Sequence, residues 1–153
     1  MPIRYMHTNL IAKDWRRLAA FYCEVFGCVP VLPERNLSGE WLDRATGIDA
    51  AHLCGIHLKL PGYKNDGPTL EIFQYDAMPS RPVIRPDTPG FGHVAFAVED
   101  VEAVANRVLH SGGTEVGELT EVILPGVGLL RFQYLADPEG NCIEIQRLTC
   151  PES

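Results

Sequence analysis

Apolar and polar residues alternate along much of the chain, and this two-residue period predicts strands that have one buried face. The longer strands are predicted over 3–12, 52–60, 69–75, 91–98, 128–135 and 142–147, and shorter ones over 28–32 and 115–117. Two other stretches repeat apolar residues every three or four positions, which is typical of amphipathic helices. One follows Asp14 and ends at Gly27, and the other follows Asp100 and ends at His110. Each helix is therefore predicted to begin at a capping aspartate.

The predicted elements occur twice in the same order. Each half has a strand, a capped helix and then about three strands, and a histidine, His7 or His93, precedes the capping aspartate by seven residues in both halves. A repeat of this kind predicts two similar modules. The chain is therefore predicted to be one α+β domain, 1–153, with βαβββ modules at 1–78 and 91–150 and a stiff proline-rich linker at 79–90.

The polar stretch 33–51 lies between two predicted strands of the first module. A connection of this length inside a compact domain is often functional. We expect it to be a long loop, either a lid over a site or a tolerated insertion.

Composition and charge narrow the classes of function. The net charge is −7 and 46% of the residues are hydrophobic, which favours a folded domain and argues against a nucleic-acid-binding surface. No apolar run reaches the roughly 18–20 residues of a membrane span, and the first residues lead into a strand pattern without a secretion signal. The five cysteines form no Cys-x-x-Cys pair. They are predicted to be reduced thiols of a cytoplasmic protein.

Two histidines and two glutamates are candidate metal ligands. Glu71 and Glu144 each lie between apolar neighbours in a predicted strand, and alternation directs them to the face that His7 and His93 can share. A carboxylate in a largely apolar sheet costs several kcal/mol unless it is paired or bound to a metal ion. Two neutral imidazoles and two carboxylates balance one divalent cation, which is predicted to be zinc, nickel, cobalt, manganese or iron(II). The remaining histidines are predicted to be structural or exposed: His52, His57 and His110.

Short motifs are spread over nearly the whole chain: His7-Thr8, Phe21-Tyr22 before Phe26-Gly27, Leu70-Glu71-Ile72, Gly92-His93-Val94-Ala95-Phe96, and Asp137-Pro138-Glu139-Gly140-Asn141 before Ile143-Glu144. With these motifs the chain resembles the vicinal oxygen chelate superfamily, which includes glyoxalase I, bleomycin-resistance proteins, methylmalonyl-CoA epimerase and extradiol dioxygenases. The resemblance implies paired βαβββ modules whose curved mixed sheets form a cupped metal-binding cleft. It also implies a small-molecule substrate and a homodimer.

The resemblance further implies an activity. Glu71 fills a ligand position that ring-cleaving dioxygenases and fosfomycin-resistance enzymes leave empty, so the chain is similar to the glyoxalase I group. We expect a divalent-metal-dependent lyase or isomerase that acts through a metal-stabilised enediolate, with Glu71 or Glu144 as the base. Ile11 and Tyr75 replace the arginine and asparagine that bind glutathione in bacterial glyoxalase I, so a glutathione conjugate is not the expected substrate. The candidate substrate contacts are Asn9, Trp41, Phe73, Tyr75, Arg131 and Gln133.

Three alternative functions stay open. Epimerisation of a 2-acyl-CoA thioester uses the same enolate chemistry, and Lys13, Arg16 and Arg17 would then meet a CoA phosphate. An extradiol-type dioxygenase is the second alternative. The third is a drug-binding resistance protein without catalysis, which predicts a cleft rich in aromatic residues and no tightly bound metal.

Overall fold

The structure is a computed structural model that describes residues 2–151. The chain divides between Arg81 and Pro82 into two compact units, and this boundary falls within the predicted linker. Each unit has an open mixed sheet with an amphipathic helix packed on it. The predicted α+β fold class is thus confirmed. Within residues 2–151, no helix combines the length and the apolar character that crossing a bilayer requires.

Between residues 2 and 81, the first unit has four strands and two helices: β1 (His7–Ile11), α1 (Trp15–Phe26), β2 (Val29–Ser38), α2 (Glu40–Thr46), β3 (His52–Lys59) and β4 (Thr69–Tyr75). The strand order is β1-β4-β3-β2. β1 runs parallel to β4, and the other neighbours are antiparallel. The caps of α1 are as predicted, since Asp14 accepts a hydrogen bond from the Arg17 N–H and Gly27 adopts the left-handed conformation. The apolar face of α1 packs on β3 and β4.

The prediction of a long loop over 33–51 is wrong. β2 continues to Ser38, and α2 follows almost at once. Prolines at 30 and 33 weaken the strand signal, but β2 is an edge strand, where a missing N–H is tolerated. Leu42 of α2 is buried in an apolar cluster with Ala51 and Leu53, so this segment is a packed part of the unit.

Over residues 82–151, the second unit has five strands and one helix: β5 (Val94–Ala97), α3 (Val101–His110), β6 (Thr114–Glu115), β7 (Thr120–Leu124), β8 (Gly128–Ala136) and β9 (Cys142–Thr149). The strand order is β5-β9-β8-β6, and β7 also pairs with β8. β5 runs parallel to β9. As predicted, Asp100 caps α3 by accepting a hydrogen bond from the Ala103 N–H, and α3 packs on β8 and β9.

The second unit differs from the sequence expectation at two strands. β5 is shorter than predicted, and His93 lies one residue before it. β7 was not predicted, because four of its five residues are exposed and carry no burial pattern. In the first unit, the single long strand β2 pairs with β3. In the second unit, two shorter strands, β6 and β7, pair with β8 in the same way. The two units also share a parallel pairing of their first and last strands, β1 with β4 and β5 with β9.

Candidate metal centre

Glu71 lies in the middle of β4 and is only 9% exposed. Its neighbours Leu70 and Ile72 are buried in the core of the unit, so alternation turns the carboxylate to the opposite face of the sheet. The strand pairing places Asn9 of β1 on one side of Glu71 and His57 of β3 on the other. Three polar residues from three neighbouring strands therefore share this face.

The side chains around Glu71 converge on its carboxylate. His7 Nε2 lies 3.7 Å from Glu71 Oε1, and His57 Nε2 lies 2.7 Å from Oε2. Asn9 Nδ2 donates a hydrogen bond of 2.8 Å to Oε1. The candidate ligand atoms of His7, His57 and Glu71 all lie within 4.8 Å of one another. This separation suits one divalent ion, since zinc bonds to nitrogen and oxygen are about 2.0–2.2 Å long.

His57 is the site residue that the sequence analysis missed. The β3–β4 hairpin could have revealed it. Lys59 pairs with Thr69 beside the turn, and two residues further along each strand His57 pairs with Glu71. An error of one residue in that pairing would move His57 to the other face. Burial lowers the pKa of His57 below its usual value, and the nearby Arg35 and His7 add to this effect while Glu71 opposes it.

Glu144 occupies the matching place in the second unit. It lies in β9 between the buried Ile143 and Ile145 and is 8% exposed. His93 Nε2 lies 3.0 Å from Glu144 Oε2. The strand pairing places Ala95 of β5 on one side of Glu144 and Tyr134 of β8 on the other. Both units therefore have the histidine and the glutamate, but the residues beside the glutamate on the two adjacent strands differ.

Tyr134 occupies the place in the second unit that His57 occupies in the first. Its ring meets the His93 ring edge-on, with the ring centroids 5.1 Å apart. Burial raises the pKa of the Tyr134 phenol above its usual value, and the negative charge of Glu144 raises it further. The phenol consequently stays protonated at neutral pH and can donate a hydrogen bond.

The predicted substrate contacts of the first unit lie on or near the Glu71 face. Alternation along β4 places Phe73 and Tyr75 on the same face as Glu71, and both pack against the apolar cluster under α2. Trp41 lies on α2 and is 52% exposed. Asn9, the remaining predicted substrate contact, donates its side-chain hydrogen bond to the Glu71 carboxylate.

The predicted contacts of the second unit lie elsewhere. Gln133 pairs with Ile145, is buried, and donates a hydrogen bond to the Gly117 carbonyl. Arg131 Nη2 lies 3.5 Å from a carboxylate oxygen of Glu102 in α3. Both belong to the helix-covered face of β8, whereas Tyr134 faces the opposite way. The structure therefore does not bring Arg131 and Gln133 together with Glu144.

The chemistry of the donor set fits a divalent cation. Within the first unit the structure brings His7 and Glu71 together, and within the second it brings His93 and Glu144 together. Among residues 2–151, the basic side chains within 4 Å of these two largely buried carboxylates are histidine rings. A divalent cation would balance the negative charge of these carboxylates, and imidazole nitrogens and carboxylate oxygens are suitable ligands for it, so the donor set fits a metal ion.

Comparison with known sequences identifies related proteins. The family model described as Glyoxalase/Bleomycin resistance protein/Dioxygenase superfamily matches residues 4–145. The uncharacterized protein YaeR of Escherichia coli K12 is 27% identical over 140 residues, which cover 91% of this chain and 92% of YaeR. The putative glyoxylase CFP32 of Mycobacterium bovis is 37% identical over 60 residues, which cover 39% of this chain and 22% of CFP32.

Solved structures share the fold. A glyoxalase family protein from Bacillus cereus aligns with a TM-score of 0.81 and 20% identity, covering 98% of this chain and 97% of that one. The fosfomycin resistance protein FosX from Listeria monocytogenes, in complex with Mn(II) and sulfate, aligns with a TM-score of 0.56 and 18% identity, covering 99% of this chain and 98% of FosX.

Proposed function

The chain belongs to the Glyoxalase/Bleomycin resistance protein/Dioxygenase superfamily, and we propose that it is a divalent-metal-dependent lyase or isomerase acting on a small oxygen-chelating substrate. The observation that carries the proposal is the repeated pairing of a histidine with a largely buried glutamate, His7 with Glu71 and His93 with Glu144. Burial of a carboxylate lowers the stability of the fold unless a cation or hydrogen bonds stabilise the charge.

The proposed ligands are two neutral imidazoles and two carboxylates: His7, Glu71, His93 and Glu144. Zinc, nickel, cobalt, manganese and iron(II) all accept such a set. A divalent ion held by these residues would supply Lewis-acid stabilisation to negative charge that develops on a substrate oxygen. Four ligands for one ion predict one metal ion per chain, whereas separate binding by each pair would give two.

A glutamate provides the proposed base. A carboxylate placed beside a carbonyl compound can take the proton from the neighbouring carbon and return it to another atom. Glu71 and Glu144 are the candidates for this step. Removing the carboxylate charge at the catalytic position is expected to abolish turnover and to leave the fold intact, because glutamine has nearly the same volume as glutamate.

The side chains of the first unit favour a small substrate with an apolar portion. Phe73 and Tyr75 lie on the Glu71 face, and Trp41 on α2 is exposed. Ile11 and Tyr75 offer neither the cation nor the amide expected for a glutathione carboxylate. We therefore propose a substrate other than a glutathione conjugate.

The assembly and the cellular location are also part of the proposal. We propose a homodimer in the cytoplasm, with the substrate as the main partner. All five cysteines are free thiols, which suits a reducing compartment. Size-exclusion chromatography with light scattering measures the proposed assembly directly.

Metal analysis and proton exchange together test the proposal. Purified protein should hold one divalent ion per chain by mass spectrometry of its metals. It should also exchange the proton next to the carbonyl of an accepted hemithioacetal or acyl-CoA thioester with solvent deuterium. Glu71→Gln and Glu144→Gln should lower metal content or abolish exchange, whereas the exposed control Glu118→Gln should do neither. Wild-type protein without bound metal would contradict the proposal and favour a non-catalytic binding protein.

A further inference from the structure

Both carboxylate oxygens of Glu71 are engaged by residues of its own unit. Asn9 Nδ2 lies 2.8 Å from Oε1, and His57 Nε2 lies 2.7 Å from Oε2. The second ring nitrogen of His57, Nδ1, lies 3.1 Å from Thr69 Oγ1. Glu71 is therefore fixed from two sides, and the ring that holds it is itself anchored.

The proton positions follow from the bonding partners. A carboxylate oxygen only accepts hydrogen bonds, so His57 Nε2 must carry the proton in its contact with Glu71. His57 Nδ1 then accepts a hydrogen bond from the Thr69 hydroxyl. A ring nitrogen that carries a proton has no lone pair for a metal ion, so His57 cannot hold Glu71 in this way and bind an ion through the same atom.

Comparison of the two units shows which residues around the glutamate occur in both and which occur only in the first. The His7–Glu71 pair has its counterpart in His93 and Glu144. The neighbours of the glutamate differ, because Ala95 stands at the place of Asn9 and Tyr134 at the place of His57. Alanine has no donor for the carboxylate. Glu144 instead has His93 Nε2 3.0 Å from Oε2 and accepts a longer hydrogen bond of 3.4 Å at Oε1 from Gln146 of its own strand. Glu71 therefore has hydrogen-bond partners on both neighbouring strands, whereas Glu144 has an alanine on the β5 side.

We propose that His57 and Asn9 are positioning residues that fix the orientation of the Glu71 carboxylate for the ion, without binding the ion themselves. The inference rests on the proposed function, since it takes Glu71 as a metal ligand. Partners of this kind typically change metal affinity about 10–100-fold when they are removed. His57 and Asn9 make the two glutamates inequivalent, because they hold Glu71 from both neighbouring strands, whereas Glu144 has an alanine on the β5 side.

Nitrogen-15 NMR of the histidine rings tests the proton position. In the metal-free full chain, His57 should carry its proton on Nε2, and it should keep that proton after one equivalent of zinc is added. His7 and His93 should change on zinc binding. Loss of the Nε2 proton of His57 on zinc binding would show that His57 is a ligand and would overturn the proposal.

Zinc affinity, measured by competition with a chelator, tests the positioning role. His57→Leu should weaken zinc binding about 10–100-fold, and His57→Gln, which keeps an N–H donor, should restore part of the loss. Thr69→Val, a milder change that removes only the anchor of the ring, should weaken binding less. The exposed His110→Gln is the control and should bind zinc like the wild type. Unaltered affinity in both His57→Leu and Thr69→Val would overturn the inference.

The outcomes separate the two proposals. If the wild type binds zinc tightly and the His57 variants match it, the positioning role fails and the proposed function stands. If the wild type binds no zinc, nickel or manganese, the proposed function fails and the positioning role fails with it.

Discussion

Gly55 lies opposite Phe73 in the antiparallel pairing of β3 and β4, and the phenyl ring takes the space that a side chain on Gly55 would need. A Cβ atom on Gly55 would lie 2.6 Å from Phe73 Cδ1 and 2.0 Å from the carbonyl oxygen of Ile72. The same ring meets His57 edge-on, with centroids 6.1 Å apart. The missing side chain of Gly55 thus gives Phe73 its place beside the candidate metal centre.

Gly55→Ala should lower the free energy of unfolding by about 3 kcal/mol, because the added methyl group forces both the backbone and the ring to move. Urea unfolding followed by fluorescence measures this change, since both tryptophans, Trp15 and Trp41, belong to the first unit. Gly117→Ala is the matched control, since a Cβ there meets nothing within 4 Å. Equal effects of the two substitutions would contradict the close packing.

Asp14 and Asp100 perform the same capping role in the two units. Each carboxylate accepts a hydrogen bond from a backbone N–H in the first turn of its helix. Asp14→Ala and Asp100→Ala should each cost about 1 kcal/mol, and serine at either position should retain most of the stability. Circular dichroism during urea unfolding measures both. A serine variant as unstable as its alanine counterpart would argue against capping.

Asp137 organises the turn that leads into β9 and therefore the approach to Glu144. Its Oδ1 accepts hydrogen bonds from the backbone N–H groups of Glu139 and Asn141, and its Oδ2 accepts one from the Asn141 side chain. Asp137→Ala should lower the free energy of unfolding by about 3 kcal/mol, because three partly buried N–H donors lose their acceptor. Asp137→Asn keeps one acceptor oxygen and should cost less, as measured by urea unfolding. A harmless alanine substitution would contradict this role.

The cysteines should differ in reactivity. Burial raises the pKa of the Cys28 thiol to about 12, so at pH 8 almost none of it is the reactive thiolate. Burial also raises the pKa of Cys142. Iodoacetamide at pH 8 should therefore modify the exposed Cys150 first and leave Cys28 unmodified, as read by peptide mass spectrometry. In urea all five thiols should react, and rapid labelling of Cys28 in the folded protein would contradict its burial.

Local patterns in the sequence determined much of the framework. The aspartate caps, the three- and four-residue apolar period and the terminating Gly27 predict α1 and α3 because helix formation depends on residues close in sequence. Alternation around Glu71 and Glu144 likewise predicts which way each carboxylate points, since a strand has a fixed two-residue period. The repeat predicts that His7, Glu71, His93 and Glu144 share one metal ion. The structure brings His7 to Glu71 and His93 to Glu144, each within its own unit. Binding of an ion by these residues stays a prediction.

Strand pairing decided what the local patterns left undetermined. His57 joins the site because it lies opposite Glu71 in the β3–β4 register, and Arg131 and Gln133 lie away from Glu144 because the β8–β9 register places Tyr134 opposite it instead. A shift of one residue in either register would reverse these assignments. The apolar cluster under α2 also depends on contacts between segments distant in sequence. The sequence alone thus determined α1, α3, the faces of the main strands and the candidate ligands. The tertiary structure decided which side chains meet, because register is set by hydrogen bonds between strands that are distant in sequence.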